Sequence, residues 1–113
     1  MKCLIWGANK SGMWFQEFVE SLTDAGCEVK GFGDNNSDLH NTVVNGLNVY
    51  DISVVLEMYE KGEIDSVIIA TSNGHINTIV QQLFNVGIQS IYMIPPYIYK
   101  KNKNELKLED VLL

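Results

Sequence analysis

The chain has 113 residues, 46% of them hydrophobic and 19% charged, which sets the expectation of one domain with one core that needs neither disulfides nor metal to fold. Eight basic residues, a net charge of −6 and a pI near 4.7 argue against a nucleic-acid surface or an anionic membrane surface, both of which need a Lys/Arg footprint. No apolar run approaches the ~20 residues of a membrane span. No leader precedes the first apolar segment, so a cytoplasmic protein is expected.

In chain order, Lys2 to Trp6 is a short apolar run ending at Gly7, as in a strand buried on both faces. Phe15, Phe18, Val19 and Leu22 then recur at helical spacing, with Gly26 as a stop signal. A second strand spans Glu28 to Gly33 and runs into the polar loop Asp34-Asn35-Asn36-Ser37. Asn45-Gly46 between Val43-Val44 and Leu47-Asn48-Val49 is a hairpin or turn signal. Asp51 or Ser53 caps a helix through Val55, Leu56 and Tyr59 that stops near Gly62. Ser66 to Ala70 is the next buried strand, followed by Thr71-Ser72-Asn73-Gly74. Ile76, Ile79, Val80, Leu83 and Phe84 form one helical face that closes before Gly87, and Ser90 to Ile94 is a last strand stopped by Pro95-Pro96.

Strands alternating with helices imply parallel βαβ units with right-handed crossovers. The predicted fold is a three-layer, Rossmann-like α/β sandwich over residues 1–99. Its sheet has about five strands in the order 3-2-1-4-5, and residues 100–113 form a polar C-terminal tail ending in a short element. Cys3 and Cys27 show no CxxC spacing and no histidine cluster, so two buried reduced thiols are expected and no metal site. Trp14 falls off the apolar face of its helix, which makes it a candidate for packing on a partner subunit.

Gly7-Ala8-Asn9-Lys10-Ser11-Gly12 lies between the first strand and first helix. At that place a parallel sheet receives a ligand, and a helix N-terminus presents N–H groups and a positive dipole end to phosphate. With basic residues concentrated late in the chain, an anion there depends mostly on backbone N–H groups. Asn9 stands where the dinucleotide fingerprint has glycine, and its side chain takes up part of the space a pyrophosphate uses. Asp34, 22 residues after Gly12, is placed to accept hydrogen bonds from ribose hydroxyls, with Asn35 and Asn36 as further polar contacts. The alternative for Asp34 is a turn or Asx cap. Thr71, Ser72 and Asn73 face the same sheet edge as a third binding segment. His75, in the first turn of the next helix, is taken as a surface histidine, with anion contact by a neutral imidazole as the alternative, and His40 as surface. Tyr97 and Lys101 have the Tyr-x-x-x-Lys spacing of short-chain dehydrogenases, but follow a Pro-Pro break rather than lying on a long helix. No Ser-His-Asp set, metal-ligand pair or coupled carboxylates occur, so no catalytic residue is named.

The segments Lys2 to Gly12, Val29 to Asn36, Val44 to Tyr50 and Val67 to Asn73 together resemble one recurrent domain. It is the N-terminal nucleotide-binding domain of bacterial sugar O-acyltransferases of surface-glycan synthesis and of nucleotide-sugar dehydratases of polysaccharide biosynthesis. The resemblance covers residues 2–98 and departs from the family at Ala8-Asn9, where the turn is usually richer in glycine. It implies that Gly7, Asn9, Ser11, Gly12 and Asp34 contact a nucleotide or nucleotide-sugar, with NAD or a UDP-sugar as the expected ligand. On this reading the chain binds the nucleotide without a complete active site of its own, for a transferase- or dehydratase-type enzyme. The alternative is an NAD-binding oxidoreductase domain completed by a homodimer or by a separate catalytic domain. A third reading, a fold kept for protein–protein contact through Trp14 and the tail, is the least favoured.

Overall fold

The computed structural model describes residues 1–22, 26–71, 75–95, 98–99 and 106–111. The binding residues expected at Ser72 and Asn73, and the Tyr97/Lys101 spacing, lie outside the described residues.

In β1 (Lys2–Trp6) every side chain after Lys2 is buried, and successive residues point to opposite faces of the sheet. Cys3 and Ile5 join the core on one side; Leu4 and Trp6 join the core on the other. β5 (Ser66–Ile69) divides in the same way, with Ile68 on the first side and Val67 and Ile69 on the second. Two cores, one on each face of a central sheet, explain why these strands are uninterrupted apolar runs. α1 (Lys10–Ser21) and the short α4 (Leu108–Val111) cover the first face through Phe15, Phe18, Val19 and Val111. α2 (Ile52–Glu60) and α3 (Ile76–Asn85) cover the second through Val55, Met58, Ile79 and Leu83. Phe84, assigned by periodicity to the apolar face of α3, is 57% exposed.

Among the described residues the sheet has six strands; with β2 (Glu28–Gly33), β3 (Val43–Val44), β4 (Leu47–Tyr50) and β6 (Ile91–Met93) the order is β3-β4-β2-β1-β5-β6. This differs from the expected order of five by one edge strand. Asn45 and Gly46 both take positive φ, 48° and 85°, as a two-residue hairpin turn with the right twist requires. The chain therefore folds back sharply, making β3 (Val43–Val44) antiparallel to β4 (Leu47–Tyr50). β4 itself takes the expected third place, parallel to β2 (Glu28–Gly33), and β6 (Ile91–Met93) closes the other edge against β5. Gln16, only 3% exposed on α1, donates to the Asn45 carbonyl at 3.1 Å and accepts from the Asn45 amide at 3.0 Å, fastening the hairpin to the first helix.

Glycine on β2 makes room for large rings. A Cβ on Gly33 would lie 2.4 Å from the Trp6 ring, and one on Gly31 would lie 2.8 Å from the Tyr50 ring. The indole of Trp6 thus lies over the end of β2 and is 2% exposed. Trp14 packs within its own chain: it stacks on Phe18 at 5.5 Å between ring centroids and meets Tyr99 edge-on at 5.2 Å. These contacts supply the apolar surroundings for which a partner subunit was expected. Cys3 is buried and Cys27 half-buried, both as free thiols with their sulfurs 3.5 Å apart. The hydrogen bond to Cys27 and burial hold the Cys3 thiol far above the usual range, so it stays protonated. Among the described residues no helix is long and apolar enough to cross a membrane.

Candidate functional site

β1 runs parallel between β2 and β5, and their carboxyl ends are aligned: Trp6 pairs with Gly33 on one side and with Ile69 on the other. α1 packs on one face of the sheet and α3 on the opposite face, so a crevice lies between them at the switch point. The cleft there has a volume of about 320 Å³. Five of the sequence-predicted residues line it, namely Gly7, Asn9, Asp34, Asn35 and Thr71. Trp6 contributes from β1, while His75, Thr78 and Ile79 contribute from the start of α3. Lys10, Ser11 and Gly12 head α1 and are not part of this lining.

The turn after β1 needs its glycines for backbone packing. Gly7 has φ of 126°, and a Cβ there would come within 2.5 Å of the Ala70 carbonyl oxygen. A Cβ on Gly12 would fall 1.9 Å from the Gly7 carbonyl oxygen. The N–H groups of the turn are distributed differently from the expected anion cradle. Asn9 is the N-cap of α1 and its Oδ1 accepts the Gly12 N–H at 3.0 Å. Asp34 Oδ2 accepts the Ala8 N–H at 3.0 Å. Short polar side chains within reach thus take up two of the N–H groups near the start of α1. Lys10 and Ser11 are left as the first helical residues, whose N–H groups have no intrahelical acceptor.

Asp34 serves as a turn residue and also faces the cleft. Its Oδ1 accepts the Asn36 N–H at 2.9 Å, an Asx turn, and each carboxylate oxygen has a second lone pair. The His40 Nε2 lies 2.6 Å from the Asp34 carbonyl oxygen. A carbonyl only accepts, so Nε2 carries the proton in that contact. His40, expected to be a plain surface residue, braces the loop that aims Asp34. His75 is the exposed N-cap residue of α3 and makes no side-chain capping bond.

Thr71, expected as part of a third binding segment, brings a buried hydroxyl to the cleft. It is 8% exposed, lines the cleft, and its Oγ1 has no hydrogen-bond partner among the described residues. An unpaired buried hydroxyl is costly, by about 1–3 kcal/mol. Among the described residues no group of three His, Cys, Asp or Glu side chains is arranged to hold a metal ion.

The sequence profile of a family described as C2185-like, N-terminal, matches residues 1–94. The chain belongs to that family. No curated protein matches its sequence. Among solved structures, it is similar to UDP-D-quinovosamine 4-dehydrogenase from Vibrio fischeri, at 19% identity over 99% of this chain and 98% of the other, with a TM-score of 0.72. It is also similar to RSP, a Rex-family repressor, at 22% identity over 84% of this chain, with a TM-score of 0.67. The chain spans 45% of that repressor's length. Structures of RSP hold β-NADH, or β-NAD+ together with operator DNA, and match at 23% identity with TM-scores of 0.60 and 0.61. At these identities the likeness establishes a Rossmann-like fold.

Proposed function

We propose that the cleft binds a nucleotide or nucleotide-sugar, and that the chain is the nucleotide-binding domain of a protein of sugar-nucleotide or surface-polysaccharide biosynthesis in the cytoplasm. The observation that carries this reading is the Thr71 hydroxyl, buried against the cleft without a partner among the described residues. A ligand hydroxyl or phosphate oxygen would satisfy it. In this assignment Asp34 takes the ribose hydroxyls through its remaining lone pairs. The N–H groups of Lys10 and Ser11, at the head of α1, take phosphate, with the Lys10 ammonium and the α1 dipole adding charge. Ser72 and Asn73 extend the Thr71 segment as further contacts. Asn9 limits how closely a pyrophosphate approaches, because its amide is engaged on Gly12.

The link to polysaccharide biosynthesis rests on the resemblance of the motif segments and on the likeness to a UDP-sugar dehydrogenase. Calorimetry against UDP-sugars, NAD, NADP and CoA tests the assignment. Micromolar to sub-millimolar binding of one of them is expected, and no binding of any at millimolar concentration overturns it.

A second reading, an NAD-binding oxidoreductase domain that acts as a homodimer or with a catalytic partner, is favoured by one feature. An acidic residue at the end of the second strand suits the unphosphorylated ribose of NAD and repels a 2′-phosphate. Preference for NAD over both NADP and UDP-sugars in the same titrations would select it.

A further inference from the structure

At the mouth of the cleft, Asn35 from the loop after β2 meets Gln82 of α3, 47 residues later in the chain. Their side-chain amides are joined twice. Asn35 Nδ2 donates to Gln82 Oε1 at 2.9 Å, and Gln82 Nε2 donates to Asn35 Oδ1 at 2.8 Å. Each amide presents a donor beside an acceptor, and the edges of nucleobases do the same, as in the pairing of Asn or Gln with the amino group and N7 of adenine. The two amides therefore occupy each other with the hydrogen-bond pattern that either would make with a base.

The surroundings suit a neutral, flat group. Thr78 lines both the cleft and a neighbouring groove along α3, whose other lining residues are Asn77, Gln81, Gln82 and Asn85. Among the described residues that groove carries no charged side chain, in a chain whose net charge is −6.

We propose that Asn35 and Gln82 form the base-recognition subsite of the cleft, paired with each other when it is empty and exchanging one partner for a nucleobase edge when a nucleotide enters. This rests on the nucleotide reading of the cleft. The exchange is balanced in hydrogen bonds. Opening the pair is undemanding because water already competes for these exposed amides, whereas a base shields the new pair. A strap that merely tied the loop to α3 would behave in the opposite way, since cutting it would leave nucleotide affinity unchanged or raise it.

The test is calorimetry of the full chain and of Asn35→Ala, Gln82→Ala and the double variant with ADP, UDP and ribose 5-phosphate. The double variant should lose roughly twofold to tenfold in affinity for whichever base-bearing ligand the parent binds, and nothing for ribose 5-phosphate. Both positions are surface amides, and coincident unfolding transitions will show that the variants are folded. Unchanged or tighter binding of ADP and UDP overturns the proposal, as does an equal loss for ribose 5-phosphate, and either result leaves the nucleotide assignment standing. A parent chain that binds neither ADP nor UDP overturns the proposal, while the nucleotide assignment stands or falls on the separate titrations with UDP-sugars, NAD, NADP and CoA.

Discussion

Asp34 reaches across 26 residues to accept the backbone N–H of Ala8, so the loop after β2 and the turn after β1 are held by one carboxylate. With its second bond to Asn36, this side chain has work in the empty protein as well as in the proposed complex. Asp34→Ala should therefore lower both properties: nucleotide affinity by at least tenfold, and stability by about 1–3 kcal/mol for two donors left without their charged acceptor. Paired titration calorimetry and urea unfolding will separate the effects. A variant that melts lower yet binds as well as the parent would make Asp34 a turn residue only.

Gly12 is dictated by packing. The carbonyl oxygen of Gly7 lies 1.9 Å from where a Cβ would be, and backbone cannot retreat as a flexible side chain could. Gly12→Ala should cost more than about 3 kcal/mol, or prevent folding, with or without ligand. Ala8→Gly serves as a control in the same turn and should cost no more than about 1 kcal/mol. If chemical denaturation shows Gly12→Ala as stable as the parent, the close approach of α1 to the Gly7 turn is not present in solution.

Thr71→Val replaces an unpaired hydroxyl with a methyl group of the same shape. The empty protein should be unchanged or more stable, by up to about 1–2 kcal/mol, while nucleotide affinity falls roughly twofold to tenfold. These opposite signs distinguish a ligand contact from a structural one. A lower melting temperature with intact binding would assign the hydroxyl to the fold.

Tyr99 provides a pH signature. Burial pushes its hydroxyl up to about 12, with Ser11 alongside pulling weakly the other way. The folded state then holds this proton more tightly than the unfolded chain, whose tyrosine titrates near 10. The stabilising contribution is complete below pH ~10 and is lost as the pH rises from there through about 12. Urea midpoints of the parent should fall more steeply than those of Tyr99→Phe across that window, and parallel curves would show that the ring is open to solvent.

Much of the architecture is legible in the chain because burial leaves a periodic trace. β1 and β5 are apolar on both faces, α1 carries Phe15, Phe18 and Val19 at helical spacing, and Asn45-Gly46 marks a turn by conformational demand. That a cleft opens beside Gly7, Asn9, Asp34 and Thr71 is legible for the same reason, since it follows from where the strands end. Contacts between short polar side chains leave no such trace. That Asn9 turns back onto Gly12, that His40 braces Asp34, and that Asn35 finds Gln82 all depend on rotamers and on loops brought together by the fold. Period alone also misplaces Phe84 and Trp14, because it reports the facing of a residue on its own helix and not what the next element covers.

The fit of Trp6 over Gly33 also gives the protein an optical probe of its own. The indole is sealed in the core but contributes to the cleft lining, so a nucleotide bound there as proposed would change the polarity beside it. The other tryptophan, Trp14, lies between Phe18 and Tyr99 and belongs to the core cluster on the opposite face of the sheet. Removing Trp14 by substitution with phenylalanine leaves a single emitter at the site. Occupancy can then be followed by intrinsic fluorescence in the unlabelled chain, at concentrations well below those calorimetry requires.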